Sequence, residues 1–296
     1  MASPDAKVFW LGTRGQMVPL VAPTEAVNRT ESKIGSSQES LNGTVTESVR
    51  GLRRSWSIDQ AYLKPEDLSV LQALFSGVVL GNTYIIDPVS PNRFPRSTAV
   101  GAKLYQWAGG TYDWFEPDSP YVAVSEVGTA PGVTYTSVGG NTVTWNPSHF
   151  IRWNPTSSSA SLYAGADYRL ALRRETPVIP GESLVFKGHV RGSASVCLEY
   201  VGPSGAGIED SPAGVVESDV WEQFTVNTVV PDNAVAVRVR ADASSTDPVD
   251  FCQFQLGPDD SPWTQGGGSA LVLISALEEE SPQFPLVSVS LTIQEI

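Results

Sequence analysis

Arg50–Pro95 reads RGLRRSWSIDQAYLKPEDLSVLQALFSGVVLGNTYIIDPVSPNRFP, a strand, a helix and a strand in succession. In Leu52–Tyr62, Trp56 and Ile58 share one face, and Ser55, Ser57 and Asp59 share the other. That period of two describes a half-buried strand. Pro65 suits the first helical turn, where its missing N–H costs nothing. Glu66 and Asp67 place negative charge at the positive helix end. Leu68, Leu71, Leu74 and Phe75 recur at three-to-four spacing, so the stripe is expected to pack inward. Gly77 terminates the helix. Tyr84, Ile85 and Ile86 resume a buried strand, which Asp87-Pro88 stops.

This is the one convincing amphipathic helix in 296 residues, and a single helix needs a sheet to cover. The last residues supply a strand for that sheet. Val287, Val289, Leu291 and Ile293 alternate with Ser288, Ser290, Thr292 and Gln294. The first domain is therefore expected to open, admit an insertion and close with the C-terminal strand. Antiparallel sheets tolerate such distant pairing.

Around this stretch the pattern is all-β. Charged residues are only 17%, and short alternating segments are punctuated by Pro and Gly. Val8–Val21 reads as two short strands around Gly12–Gly15, and Glu25–Gly43 as an exposed hairpin or long loop. Ser90–Ser97 (SPNRFPRS) reads as an exit linker, and Ala99–Pro120 as a transition holding Tyr105, Trp107, Tyr112, Trp114 and Phe115. Strands are then expected over Thr134–Val138, Asn141–Trp145, Ala166–Arg173, Leu184–Val190, Ser195–Val201, Gln223–Val230, Val235–Ala241 and Phe251–Leu256. Eight strands without a helix in one contiguous segment point to a two-sheet jelly roll. Gly202–Asp219 reads as a long loop, Ser261–Ser269 as the return, Leu271–Leu277 as a strand and Glu278–Pro282 as an acidic turn.

Net charge is −13, with 32 acidic against 19 basic residues. That balance argues against wrapping nucleic acid, which needs Lys and Arg to displace counterions. Met1–Pro23 has no basic region followed by a long apolar core, and no run approaches a membrane span, so synthesis and folding in a cytosol are expected. Asn28-Arg29-Thr30 and Asn42-Gly43-Thr44 match glycosylation sequons and are read as chance without a secretory route. Cys197 and Cys252 have no metal or redox spacing. Buried free thiols are the favoured reading, with Cys252 sharing the apolar face of Phe254 and Leu256. A disulfide between neighbouring strands is the alternative.

No catalytic signature stands out. His149 and His189 lie outside any metal-ligand motif, and His189 alternates with Lys187 and Arg191, as on a solvated face. Asp259-Asp260 and Glu278-Glu279-Glu280 are adjacent runs at expected turns, whereas glycoside cleavage needs two carboxyls about 5–9.5 Å apart across a cleft. Neither a nucleophile elbow nor a phosphate loop occurs. Sugar binding needs flat aromatic surfaces with a few polar groups. Trp145, Trp153 and Tyr163 lie in or near one Ser/Asn-rich region and are the candidate carbohydrate contacts; packing in the core is the competing reading for at least two of them. Arg50, Arg53 and Arg54 form a small basic cluster beside Trp56. Its alternatives are a solvated face with local carboxylates or a subunit contact.

Two pieces resemble known families. RRSWSIDQAYLKPEDLSVLQALFSG, then YIIDPVSPN, then the closing VSVSLTIQE resemble the tail-tube-like domain of distal tail and minor tail proteins of siphophages. PVIPGESLVFKGHVRG, then SDVWEQFTVNTVVPDNAVAVRVRA, then FCQFQLGPDDSPWTQG are similar to jelly-roll carbohydrate-binding modules inserted in phage tail proteins. There Pro180-Gly181-Glu182 opens a strand, Trp221 leads the strand that Pro231 ends, and Pro262-Trp263 closes the module. The resemblance implies a discontinuous tail-tube-like β-sandwich or barrel with one packed α-helix (1–96 and 266–296). It also implies an inserted jelly-roll β-sandwich (97–265). Such domains pair side by side into a hexameric ring around a DNA channel, and an acidic lumen would let DNA pass as cargo without sticking. The inserted module would project outward to host cell-wall glycan. The implied partners are further copies of this chain, the tail tube, and baseplate hub or tail-fibre proteins, and the implied location is the virion tail tip. Arg50, Arg53, Arg54 and Trp56 would then serve ring contacts. Distal tail proteins often carry their second domain at the C-terminus, whereas here it is inserted, so distal tail protein and other minor tail component both stay open. Related modules carry a structural calcium, but no Asp-rich loop here has calcium-ligand spacing, so no cofactor is assigned. The alternatives are a stand-alone carbohydrate-binding protein and an accessory module of a polysaccharide-degrading enzyme.

Overall fold

The computed structural model describes residues 8–20, 27–39, 45–95, 99, 104–108, 111–114, 122–125, 133–136, 142–145, 150–155, 158, 161–164, 175–283 and 285–296. In chain order the strands open with β1 (Phe9–Thr13), β2 (Gln16–Leu20), β3 (Asn28–Glu39) and β4 (Val45–Leu63). Helix α1 (Pro65–Phe75) and β5 (Thr83–Ile86) follow. Next come β6 (Leu104–Ala108), β7 (Thr111–Trp114), β8 (Val122–Ser125), β9 (Val133–Thr136) and β10 (Thr142–Trp145). Then β11 (Phe150–Trp153), β12 (Ser161–Ala164), β13 (Thr176–Pro177), β14 (Ser183–Val201) and β15 (Gly207–Asp210). The chain ends with β16 (Gly214–Val229), β17 (Ala236–Ala243), β18 (Val249–Gly257), β19 (Ser269–Gln283) and β20 (Leu286–Glu295). The protein is all-β with one α-helix, and it divides into two units, residues 8–85 with 270–296 and residues 86–269.

The split unit is a seven-stranded sheet in the order β2-β1-β5-β19-β20-β4-β3. The C-terminal strand β20 lies between β19 and β4, with Leu291 opposite Ile58 and Ile293 opposite Trp56. These side chains are buried, at 0% exposure for Leu291 and Ile293 and 1% for Trp56. Helix α1 buries Leu71 and Leu74 in the same cluster, each side chain stabilising by about 1.5–3 kcal/mol. The helix ends as expected, with Gly77 at φ +71°. Phe75 departs from expectation: as the last helical residue it is 46% exposed, and Leu68 and Val70 complete the packed stripe instead. Residues 28–39 take the hairpin alternative, as an edge strand in an extended register with β4, and the described side chains, through residue 35, are exposed. Glu278–Glu280, expected in a turn, lie within β19 opposite Ser290–Ser288 of β20.

Apart from the two-stranded β9–β10 sheet, the described strands of the inserted unit form one large sheet bent upon itself. Its order is β7-β6-β12-β17-β14-β18-β11-β8, with β13 on β17 and with β15 and β16 on β14. The nineteen-residue strand β14 serves both halves. Its first half pairs with β18 and its second half with β17. The switch falls at Gly192, where φ is +117° and an added Cβ would stand 2.8 Å from the Pro248 carbonyl oxygen. The two halves enclose one core rich in aromatics: the Phe186 ring centre lies 5.0 Å from that of Phe224, edge to face, and 6.2 Å from that of Phe254, tilted. Gly188 makes room for those rings, since a Cβ there would stand 2.8 Å from Phe254.

Several sequence expectations change here. Leu184–Val190 and Ser195–Val201 are one strand. Gly202–Asp219 contains β15 and the start of β16, whose exposed polar residues form an edge beside β14 and so lack an apolar alternation. The transition 99–120 contains β6 and β7. Ala166–Arg173 lies outside the described residues. In β18, Gln253 takes a left-handed φ of 58°, and the register to β14 shifts there. The bulge reverses the alternation, so Cys252 stands opposite His189, away from the core that Phe254 and Leu256 enter.

Ser90–Pro95, within the stretch expected as a linker, is irregular, and its middle residues Asn92, Arg93 and Phe94 are buried. Asn92 is 0% exposed and uses every polar valence. Its Nδ2 donates to the Phe254 and Thr264 carbonyls at 2.9 Å, and its Oδ1 accepts from the Leu256 and Phe94 amides at 3.2 Å. Arg93 Nη1 donates to both Glu182 oxygens at 2.6 Å, with side chains 4% and 5% exposed. Such a pair is costly to break from one side. Arg93→Ala is expected to destabilise the inserted unit by about 3–5 kcal/mol in urea unfolding; a loss below about 1 kcal/mol, the scale of an exposed pair, would contradict this reading. Leu291→Ala is expected to cost about 2–5 kcal/mol in the same assay, because the closing strand completes the split unit's core.

Candidate carbohydrate-binding face

Strand β12 lies between β6 and β17. Its register puts Tyr163 opposite Arg240 and Ser161 opposite Asp242. On these strands the apolar members of the alternation, Leu162, Val237, Val239 and Ala241, enter the core. The polar members therefore share the outer face. Across β17, Arg238 stands opposite Glu199 and Arg240 opposite Cys197 of β14.

The outer face is organised by charge pairs. The Arg238 guanidinium sits 5.2 Å from the centre of the Tyr163 ring. Its Nε donates to Glu199, and Glu175 lies 3.8 Å from its Nη1. Arg240 Nη1 lies 2.9 Å from Asp210, and its Nη2 lies 3.0 Å from Asp242. Ser161 Oγ donates to Asp242 at 2.5 Å. Two guanidinium groups thus meet four carboxylates around a half-buried phenol. Burial first, then the Glu199 charge, pushes the Tyr163 phenol up to about 12, so its hydroxyl keeps its proton. The result is a half-buried phenol with a guanidinium over its ring, bordered by planar groups that accept and donate hydrogen bonds, to which sugar hydroxyls could bind.

The register extends this face. Position 105 of β6 stands opposite Tyr163 and opposite position 114 of β7. Position 107 stands opposite Ser161 and position 112. The residues at these four positions are Tyr105, Trp107, Tyr112 and Trp114. The sequence contained the signal: Tyr-x-Trp, two glycines and Tyr-x-Trp is a hairpin with period-two aromatics.

Of the sequence-derived carbohydrate candidates, Tyr163 lies on this face. Trp153 is 0% exposed in β11, its ring 6.2 Å from Phe251 in the core, where it presents no surface to a ligand. Trp145 lies in the separate β9–β10 hairpin, opposite Val133, so the structure does not bring the three together. Of the interface candidates, Arg53 is exposed on β4, while Trp56 is 1% exposed in the split unit's core. Arg54 Nε and Nη2 form a two-point contact with Glu295 at 2.9 and 3.0 Å, and its guanidinium lies 5.1 Å from the Trp56 ring centre. Arg50 belongs to β4, where it continues the same strand.

Both cysteines are buried and free. Burial pushes each thiol up to about 12. His189, half-buried, is held below its usual range by burial and by the Lys187 charge. Among the described residues no group of three or more His, Cys, Asp or Glu could hold a metal ion, and no helix is long and apolar enough to cross a membrane.

No protein-family model and no curated protein sequence matches this chain. Some solved structures are similar to part of it at low identity and low TM-score. A family 22 carbohydrate-binding module joined to the catalytic module of a Clostridium thermocellum endo-1,4-β-D-xylanase matches at 12% identity and a TM-score of 0.33, over 57% of this chain and 27% of that one. The C-terminal family 22 module of a Clostridium thermocellum xylanase matches at 14% and 0.30, over 55% of this chain and 96% of that one. The enzymatically active domain of tailspike protein 4 from bacteriophage CBA120 matches at 13% and 0.32, over 47% of this chain and 19% of that one.

The Tyr163 phenolate is expected to form only near pH 12 rather than about 10. Ultraviolet difference titration of the wild type against Tyr163→Phe reads this directly. The folded pKa lies above the unfolded one, so the contribution of this group to stability is whole below about pH 10 and is lost as pH rises from about 10 through about 12. Cys197 and Cys252 are expected to resist a disulfide reagent at mildly alkaline pH until denaturant is added; reaction of the native chain would contradict their burial.

Proposed function

We propose that this chain is a structural virion protein of a phage tail tip, a distal or minor tail protein. Its inserted jelly roll holds a host-surface glycan, and its split unit joins a ring. The observation that carries the glycan part is the sheet face around Tyr163, with Arg238 fixing the ring and with Arg240 and Asp242 beside it. The crossing alternation that buries Leu162 and Val239 leaves this face outside the core. Its charged groups are largely paired with each other, so an uncharged polyhydroxyl ligand loses little on desolvating them.

For the ring part, the supporting observation is the pair of sheet edges in the split unit. β2 and β3 end the seven-stranded order, and the described side chains of β3 are exposed through residue 35. Exposed edges invite pairing with another chain. Repeating one heterologous contact around an axis closes a ring and removes the edges. Arg53, exposed on β4, would serve that contact, with Arg54 and Trp56 holding the strand beneath it.

Light scattering of the purified chain is expected to give a hexamer, with negative-stain images showing closed rings. A strict monomer at high concentration would overturn self-assembly and favour the stand-alone carbohydrate-binding reading. On a glycan array, wild-type protein is expected to bind host cell-wall glycan. Tyr163→Ala should weaken that binding by about tenfold or more, equal to about 1.4 kcal/mol. Unchanged binding by this variant would overturn the assignment of the face.

A further inference from the structure

The inserted unit also contains a cleft that Tyr163 does not line. It is a cleft of about 610 Å³ between the ends of β14 and β16 and the link from β15 to β16. The long β14–β16 hairpin curls so that Tyr200, late in β14, meets Thr228, late in β16. Their hydroxyls lie 2.6 Å apart. Ser183 and Asn227 border the cleft from the two strands, and Glu209 and Asp210 close it from β15. Leu184, Val229 and Pro258 supply apolar surface. Volume and lining both fall in the range of small-ligand sites, which combine apolar walls with a few convergent polar groups.

The lining also specifies a ligand class. It contains two carboxylates, an amide and several hydroxyls, and neither lysine nor arginine. Carboxylate and amide oxygens accept from adjacent sugar hydroxyls, the Asn227 amide can also donate, and apolar walls meet C–H faces. A uronate, sulfate or phosphate would instead stand against Glu209 and Asp210 without a cation of the lining to meet it. Burial holds the Tyr200 phenol above its usual range, so the Tyr200–Thr228 pair keeps a proton to donate. Asp210 connects this cleft to the face already described, because the same carboxylate pairs with Arg240 at 2.9 Å.

We propose that the cleft between β14, β15 and β16 is a second binding site on the inserted unit and takes a neutral oligosaccharide. The inference rests on the reading of this unit as a glycan holder and adds a site independent of Tyr163. It is tested by calorimetric titration of the full chain with cello-, xylo-, manno- and N-acetylglucosamine hexamers, and with trigalacturonate as the anionic probe. Wild-type protein is expected to bind two neutral hexamers per chain. Asn227→Ala, at an exposed β16 position, and Tyr163→Ala should each leave one. Thermal melting of both variants verifies the fold, and trigalacturonate should give no binding that Asn227→Ala removes. A single site abolished by Tyr163→Ala and unmoved by Asn227→Ala overturns the cleft and leaves the face. A single site abolished by Asn227→Ala and unmoved by Tyr163→Ala upholds the cleft and overturns the face. Binding of none of the neutral probes overturns both.

Discussion

One strand has to belong to two layers. β14 runs through nineteen residues, pairs with β18 over its first half and with β17 over its second, and turns between them at Gly192. A side chain there would press on the Pro248 carbonyl and Val249, in a backbone region that L residues rarely adopt. The bend encloses the aromatic core, and the core fixes which members of each strand face out. Glu199 reaches Arg238 because β17 pairs with the second half of β14. Tyr163 lies under Arg238 because β12 pairs with β17. The outer face and the edge cleft are both consequences of that bend.

The charge pairs of the inserted unit do different work according to burial. Arg93 and Glu182 are nearly removed from water, so each needs the other, and the Ile179 amide also donates to Glu182 at 2.8 Å. The pairs around Tyr163 are partly solvated and contribute little to stability. Their effect is positional: they hold an aromatic ring and several hydrogen-bonding groups in one arrangement, which would lower the ordering cost of binding the proposed ligand.

The sequence was legible where one signal dominated. The helix came from Pro65, the leucine stripe and Gly77, and the closing strand from the clean alternation of Val289, Leu291 and Ile293. It was illegible where an element is held by its neighbour rather than by its own pattern. β15 is exposed along its length and exists because β14 offers it hydrogen bonds. Glu278–Glu280 look like a turn yet extend β19, because β20 continues beside them. Periodicity also could not anticipate the bulge at Gln253, which moved Cys252 to the other side of its strand. Tyr163 and Trp153 were singled out by the same polar surroundings, yet Tyr163 lies on the outer face and Trp153 in the core. Local composition marks a region, whereas the face of a residue is fixed by register.

The split unit shows the same dependence on distant pairing, since β20 fills the gap between β4 and β19 and its apolar face meets α1's cluster. In the inserted unit, the outer face that carries Tyr163, Arg238 and Arg240 is the proposed ligand surface. The most direct measurement is a crystal structure of the chain soaked in a neutral oligosaccharide that it binds. The account predicts a pyranose ring stacked over the β6–β12–β17 face beside Tyr163, hydrogen-bonded to the Arg238 or Arg240 pairs. Sugar bound elsewhere, with the Tyr163 face left bare, would contradict it.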